Sequence, residues 1–138
     1  MKKFQSMMAV VLVALMAFAV QSCGSDNDDN NQQYKLEVSL KITDKGPLTD
    51  AQCEAMMMDA AQGSTVANHP TDASAETATM RAAQAISEAL VLHKDTYGSA
   101  KFAYTLVCTK VSGNKQIITY YVEYNAGSIN TYNNKNAK

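Results

Sequence analysis

The chain has 138 residues, of which 46% are apolar and 18% charged, with a net charge of −1. That balance argues for one folded domain and against a disordered chain. Arg81 is the sole arginine and no basic stripe occurs, which argues against a nucleic-acid binder, since such proteins need clustered cations to displace counterions.

Lys2 and Lys3 precede an apolar run over 7–20. A run of about 14 residues is too short for a bilayer core, which takes about 20. A positive start followed by a short apolar stretch reads as a secretory leader. Residues 1–22 are therefore set aside from the fold, and the remainder carries a net charge of about −3.

The run ends in Val20-Gln21-Ser22-Cys23. This resembles a lipobox, the site at which bacterial lipoproteins are diacylated on cysteine, cleaved before it and N-acylated. Small Ser22 and apolar Val20 fit the pattern, and Gln21 departs from the usual small residue. The resemblance implies lipidation of Cys23 and a membrane as partner. Each buried methylene contributes about 0.8 kcal/mol, so three acyl chains hold a protein far longer than one. Ser25-Asp26-Asn27-Asp28-Asp29 resembles the surface-export signal of Bacteroidetes-type lipoproteins, which implies an outward-facing outer-membrane protein. The periplasmic leaflet is the alternative. The same composition also reads as a solvated spacer over 23–33, with an r.m.s. reach of roughly 17 Å for ten residues.

The folded domain is expected over 34–125. YKLEVSLKIT, 34–43, alternates without a fault, which predicts a strand with one dry and one wet face. Asp44-Lys45-Gly46-Pro47 ends it in a turn. Thr49 and Gln52 match a capping box, and the first helix is expected to reach about Gln62. Cys53, Met56, Met57, Ala60 and Ala61 make its apolar stripe. Residues 63–74 read as a loop. A second helix is expected over 75–94, capped by Ser74 or Asp72. Its dry side carries Ala75, Ala78, Ala82, Ile86, Ala89 and His93, widened by Leu90 and Leu92. So wide an arc predicts contact with both a sheet and the other helix, and the alanines permit close approach.

Two β-rich runs follow, 101–111 and 116–124, joined by Ser112-Gly113-Asn114-Lys115, a hairpin signal. A two-residue loop would set Leu106 beside Tyr121. A three-residue loop would group Phe102, Tyr104, Leu106 and Cys108 with Ile118, Tyr120, Val122 and Tyr124. The second grouping leaves one apolar face, as a sheet covered on one side requires. Residues 126–138 read as a polar, frayed tail, in which 129–132 form a candidate edge strand. The order β-α-α-β-β predicts an α+β fold of two layers. Two helices cover one face of a three-stranded, mainly antiparallel sheet, with the strands side by side in chain order.

Candidate chemistry is thin. Cys53 and Cys108 lie on apolar faces. They form either two buried thiols or a disulfide, whose loop of about 56 residues would stabilise by roughly 4 kcal/mol. A thiol enzyme using either cysteine with His69 or His93 lacks any motif, and apolar sites raise a thiol pKa. Met56-Met57-Met58 cannot converge on one ion, because neighbours on a helix point about 100° apart. The expectation is no catalytic residue, no metal and no cofactor. A binding face remains: the wet side of the sheet, with Lys41, Thr105 and Thr119 around the apolar anchors Val107, Ile117 and Tyr121. It suits an envelope protein or a glycan. An ordinary solvated sheet gives the same pattern. An immunity or inhibitor lipoprotein, or a small thiol- or metal-dependent envelope enzyme, are the competing readings.

Overall fold

The computed structural model describes residues 2–19 and 32–135. The lipobox, Cys23 and the acidic block lie outside the described residues, as do positions 136–138.

Helix α1 (Lys2–Ala19) precedes strand β1 (Gln32–Asp44). Helix α2 (Asp50–Ala61), strand β2 (Ser64–His69) and helix α3 (Asp72–Leu92) follow. The short α4 (Lys94–Tyr97) leads into β3 (Lys101–Lys110), β4 (Lys115–Asn125) and β5 (Ser128–Asn133). The fold is α+β: an open, wholly antiparallel five-stranded sheet in the order β2-β1-β3-β4-β5, with the helices on one face.

The three expected strands lie side by side in chain order, as β1, β3 and β4. Two edge strands extend that expectation. β2 occupies part of the segment read as a loop. STVANH has one strong β-former pointing outward, Val66 at 51% exposure, while small Ala67 and His69 point inward. Alternation survives in it without the hydrophobicity that signals a strand. β5 forms at the candidate edge strand of 129–132, lengthened to Ser128–Asn133, within what otherwise read as a frayed tail. Ala126 and Gly127 both have positive φ, 51° and 99°, and Asn125 pairs with Ser128. That is the two-residue loop whose twist matches a hairpin.

The hairpin of β3 and β4 has the one-faced grouping, reached by a different route. Lys110 pairs with Lys115 across a four-residue loop, and a bulge at Ile117 then restores Cys108 opposite Ile118. Phe102, Tyr104, Leu106, Cys108, Ile118, Tyr120, Val122 and Tyr124 are all buried on the helical side.

Both main helices start from capping boxes. Thr49 and Gln52 reciprocate at α2 as expected. At α3 the cap is Thr71, with Ser74 as its partner three residues on. The stripes differ in detail from expectation. Met56 is buried, but Met57 is 46% exposed, since a 100° step carries it past the sheet. Leu92, in the last turn of α3, is 80% exposed.

The wide buried arc of α3 has its two neighbours, the sheet and a helix, but the helix is α1 and not α2. α1 lies between α2 and α3, which meet each other little. Val10, Val11, Ala14 and Phe18 are buried in the core, while Leu12, Val13 and Met16 point out at 41–61% exposure. Val11 sits over Gly63 so closely that a Cβ there would collide with a Val11 methyl. The leader set aside on sequence grounds is thus one of the packed helices of this structure.

Candidate functional site

Alternation along β1 and β3 places Lys41, Thr105 and Val107 on the side of the sheet opposite the helices. Among the described residues no helix crosses that side. Thr105 pairs with Tyr121, and Val107 with Thr119. Tyr121 stacks on Tyr132 of β5, with ring centroids 5.0 Å apart and planes 28° from parallel. The Tyr132 hydroxyl donates to the Glu123 carboxylate. That bond, and secondarily burial, pushes the Tyr132 pKa up to about 12, so the phenol stays protonated at neutral pH. The result is a half-buried aromatic shelf, Tyr121–Tyr132, on a threonine-rich surface.

Two of the expected binding residues leave this surface. Ile117 is the bulge residue and packs against the core. Thr119 is buried, and its backbone is closed on both sides by Asn134, through N–H to Asn134 Oδ1 at 3.0 Å and C=O from Asn134 N–H at 2.9 Å. Tyr132 and Glu123 take their place. The alternation of SINTYN after Asn125-Ala126-Gly127 was the available signal for Tyr132. At the far end of the face, Lys41, Thr43, Lys101, Glu123 and Asn125 line an open hollow of about 220 Å³. A second open hollow, of about 350 Å³, is lined by Glu37, Ser39, Ser64 and Val107, so both lie near the lower end of the ~300–1,000 Å³ of small-molecule pockets.

A polar clamp lies on the helical side, at the other end of β1. Buried Tyr34 donates to Asp72 Oδ1 at 2.6 Å. Lys110 and Lys115 approach the same carboxylate at 3.6 and 3.5 Å. The Tyr34 hydrogen bond, more than the lysines, holds the Asp72 carboxyl below the usual carboxylate range. Burial raises the Tyr34 phenol pKa, and Asp72 adds to it. The clamp joins β1, the start of α3 and the base of the hairpin. Its tyrosine is held protonated, which suits a structural bond and not a nucleophile.

The thiols are free. Burial pushes both pKa values up, for Cys53 against a small pull from Lys45 and for Cys108 against the Thr79 hydroxyl. Cys53 senses Lys45 and Asp50, whereas Cys108 senses Asp72 and Glu76. Cys108 pairs across from Leu36 on β1 and Cys53 stands in the first turns of α2, so the pair takes the first of the two expected forms, two unbonded thiols. His69 is buried between the rings of Phe18 and Tyr34, at 5.1 and 5.8 Å. His93 lies beside Tyr97 at 6.5 Å. Neither histidine is among the groups that shift a thiol. Among the described residues no three His, Cys, Asp or Glu side chains gather to hold a metal, and no helix is long and apolar enough to cross a membrane.

No protein-family model, curated protein or solved structure matches the chain.

Proposed function

We infer that the protein is an envelope lipoprotein, anchored in the outer membrane through acyl chains on Cys23 and displayed outward. Its domain is a non-catalytic module that binds or assembles with a protein or glycan. Support for the anchor comes from the sequence: a short leader, Val20-Gln21-Ser22-Cys23, and the acidic block that follows. The observation that carries the binding role is the open sheet face with the Tyr121–Tyr132 shelf. Stacked tyrosines present flat apolar area with a polar rim, which is what sugar rings and protein hot spots both use.

Radiolabelled palmitate fed to expressing cells should label the wild-type protein and not Cys23→Ser. Protease added to intact cells should remove the domain. Tyr121→Ala should weaken binding in a glycan and envelope-protein screen by about 1–2 kcal/mol or more. An unlabelled, soluble product ends the lipoprotein reading, and a ligand indifferent to Tyr121→Ala ends the role of the shelf.

A further inference from the structure

The chain carries a second surface that its own leader covers. We propose that, in the processed protein, the groove filled here by α1 is the receptor for a helix of a partner polypeptide, recognised by its apolar stripe and by its C-terminal turn. This rests on the reading above, in which cleavage before Cys23 removes α1.

The groove is built for a helix that comes very close. Its floor at Gly63 has no room for a Cβ beneath Val11. α3, which packs against both α1 and the sheet, buries mostly small residues, Ala75, Ala78, Thr79, Ala82 and Ala83, of which Thr79 turns to Cys108 on the sheet. Small residues let two backbones approach, and the gain in van der Waals contact is lost if either side grows. Over 10–19, where its side chains are described, α1 buries the stripe Val10, Val11, Ala14 and Phe18, with the i, i+1, i+4, i+8 spacing of a helical face. Its outward side makes no demand, since Leu12, Val13 and Met16 are exposed. An occupant therefore needs this stripe and is otherwise free to be polar.

His69 adds a contact that apolar burial alone does not explain. Its ring hydrogen-bonds the backbone of Phe18, in the sense that favours the protonated ring, as a carbonyl acceptor does. Phe18 lies in the last turn of α1, where carbonyls have no partner within the helix. The ring packs edge-on against the Phe18 side chain and is 2% exposed, with Nε2 unpartnered. Once α1 is gone, this imidazole faces the open groove as a donor awaiting a main-chain acceptor. A helix end supplies one and a hydrocarbon chain does not, which favours a polypeptide over a lipid. The mode is the familiar helix-in-groove one.

The test uses the processed protein, purified from outer membranes of cells expressing the full gene and placed in lipid nanodiscs, with its N-terminus defined by mass spectrometry. The probe is a fluorescent peptide of residues 2–19 carrying Leu12→Lys, Val13→Gln and Met16→Lys, so that it stays out of the bilayer. Saturable binding is expected to the processed form and not to the Cys23→Ser chain, whose retained α1 fills the groove. Ala14→Lys in the peptide should weaken binding at least tenfold, because it buries an unpaired charge. Gly63→Ala in the protein should do the same, and the peptide variant keeps the test valid if Gly63→Ala misfolds. A processed protein that ignores the probe, binds Ala14→Lys equally, releases the probe to palmitate, or closes its groove by self-association overturns the proposal while leaving the lipoprotein reading intact. A purified product that still contains residues 1–22 overturns both.

Discussion

The helical side of the sheet is sealed at one end and plugged at the other. At the α4 end, Tyr97, Phe102, Tyr104 and Tyr124 interlock, with Phe102 stacked on Tyr124 at 4.9 Å and Tyr97 edge-on to both. The Tyr124 hydroxyl ties the cluster to the Gly98 carbonyl at 2.7 Å. Every ring belongs to a strand or to the short helix entering it. At the α1 end the closure is a helix that contributes, among the described residues, the buried Val10, Val11, Ala14 and Phe18 and pairs with no strand. The two ends are equally dry. They differ in whether the covering segment can depart without taking a strand along, and burial by itself does not report that difference.

The comparison breaks most clearly at the sealed end. Tyr104→Ala should cost about 3–5 kcal/mol in urea denaturation, as large-to-small aromatic truncations do, because the Tyr104 ring is almost wholly enclosed. Ala14→Lys in the uncleaved chain should cost less, because α1 can undock in place of unfolding the sheet. Hydrogen exchange should then show protection lost in α1 and kept in β3 and β4; collapse of all protection would make α1 part of the cooperative core.

A third change sharpens the sealed end. The buried Tyr97 hydroxyl has no hydrogen-bond partner, so Tyr97→Phe should stabilise by about 1 kcal/mol, read from the same denaturation midpoint. A fourth reports on the plug. Burial pushes the His69 pKa below its ordinary 6.5, against the pull of the Phe18 backbone. A histidine depressed in the folded state leaves stability intact above about pH 6.5. Stability then declines as pH falls below that value, because the unfolded chain takes up the proton first. Melting temperature of the uncleaved chain should fall from pH 7 toward pH 5, and His69→Phe should flatten the slope. The smallest effect lies at the far edge of the sheet. Ala126 holds a left-handed φ of 51° that alanine disfavours, so Ala126→Asn should gain a few tenths of a kcal/mol in thermal melting.

Much of this architecture is legible in the amino acids, and the failures have physical causes. β1 and the capping box at Thr49 follow from strict alternation and local hydrogen bonding, which depend on near neighbours alone. The buried grouping of Phe102 through Tyr124 follows because only one register leaves a dry face. The loop length eluded that logic, since the bulge at Ile117 undoes a one-residue difference and removes Ile117 from the outer face. β2 was hidden because its inward residues are Ala67 and His69, small and polar. β5 was legible only as a candidate edge strand at 129–132, because Ala126-Gly127 supplies a turn that usually reads as Asn-Gly. The place of α1 was outside reach for another reason: its short apolar run reads as a leader, which sets it aside from the fold, and its fit to Gly63 is a tertiary fact. Of the outer-face residues, Lys41, Thr105, Val107 and Tyr121 follow from alternation, whereas Tyr132 required knowing that a fifth strand exists.

The position of β1 has a mechanical consequence. The strand that continues from residue 31 is internal, hydrogen-bonded to β2 on one side and to β3 on the other. A pull on the chain from that end runs along the strand axis. It must slide β1 past both neighbours at once, so the ladders resist together where an edge strand would be peeled off rung by rung. A domain held this way keeps its shape when the chain is pulled from residue 31.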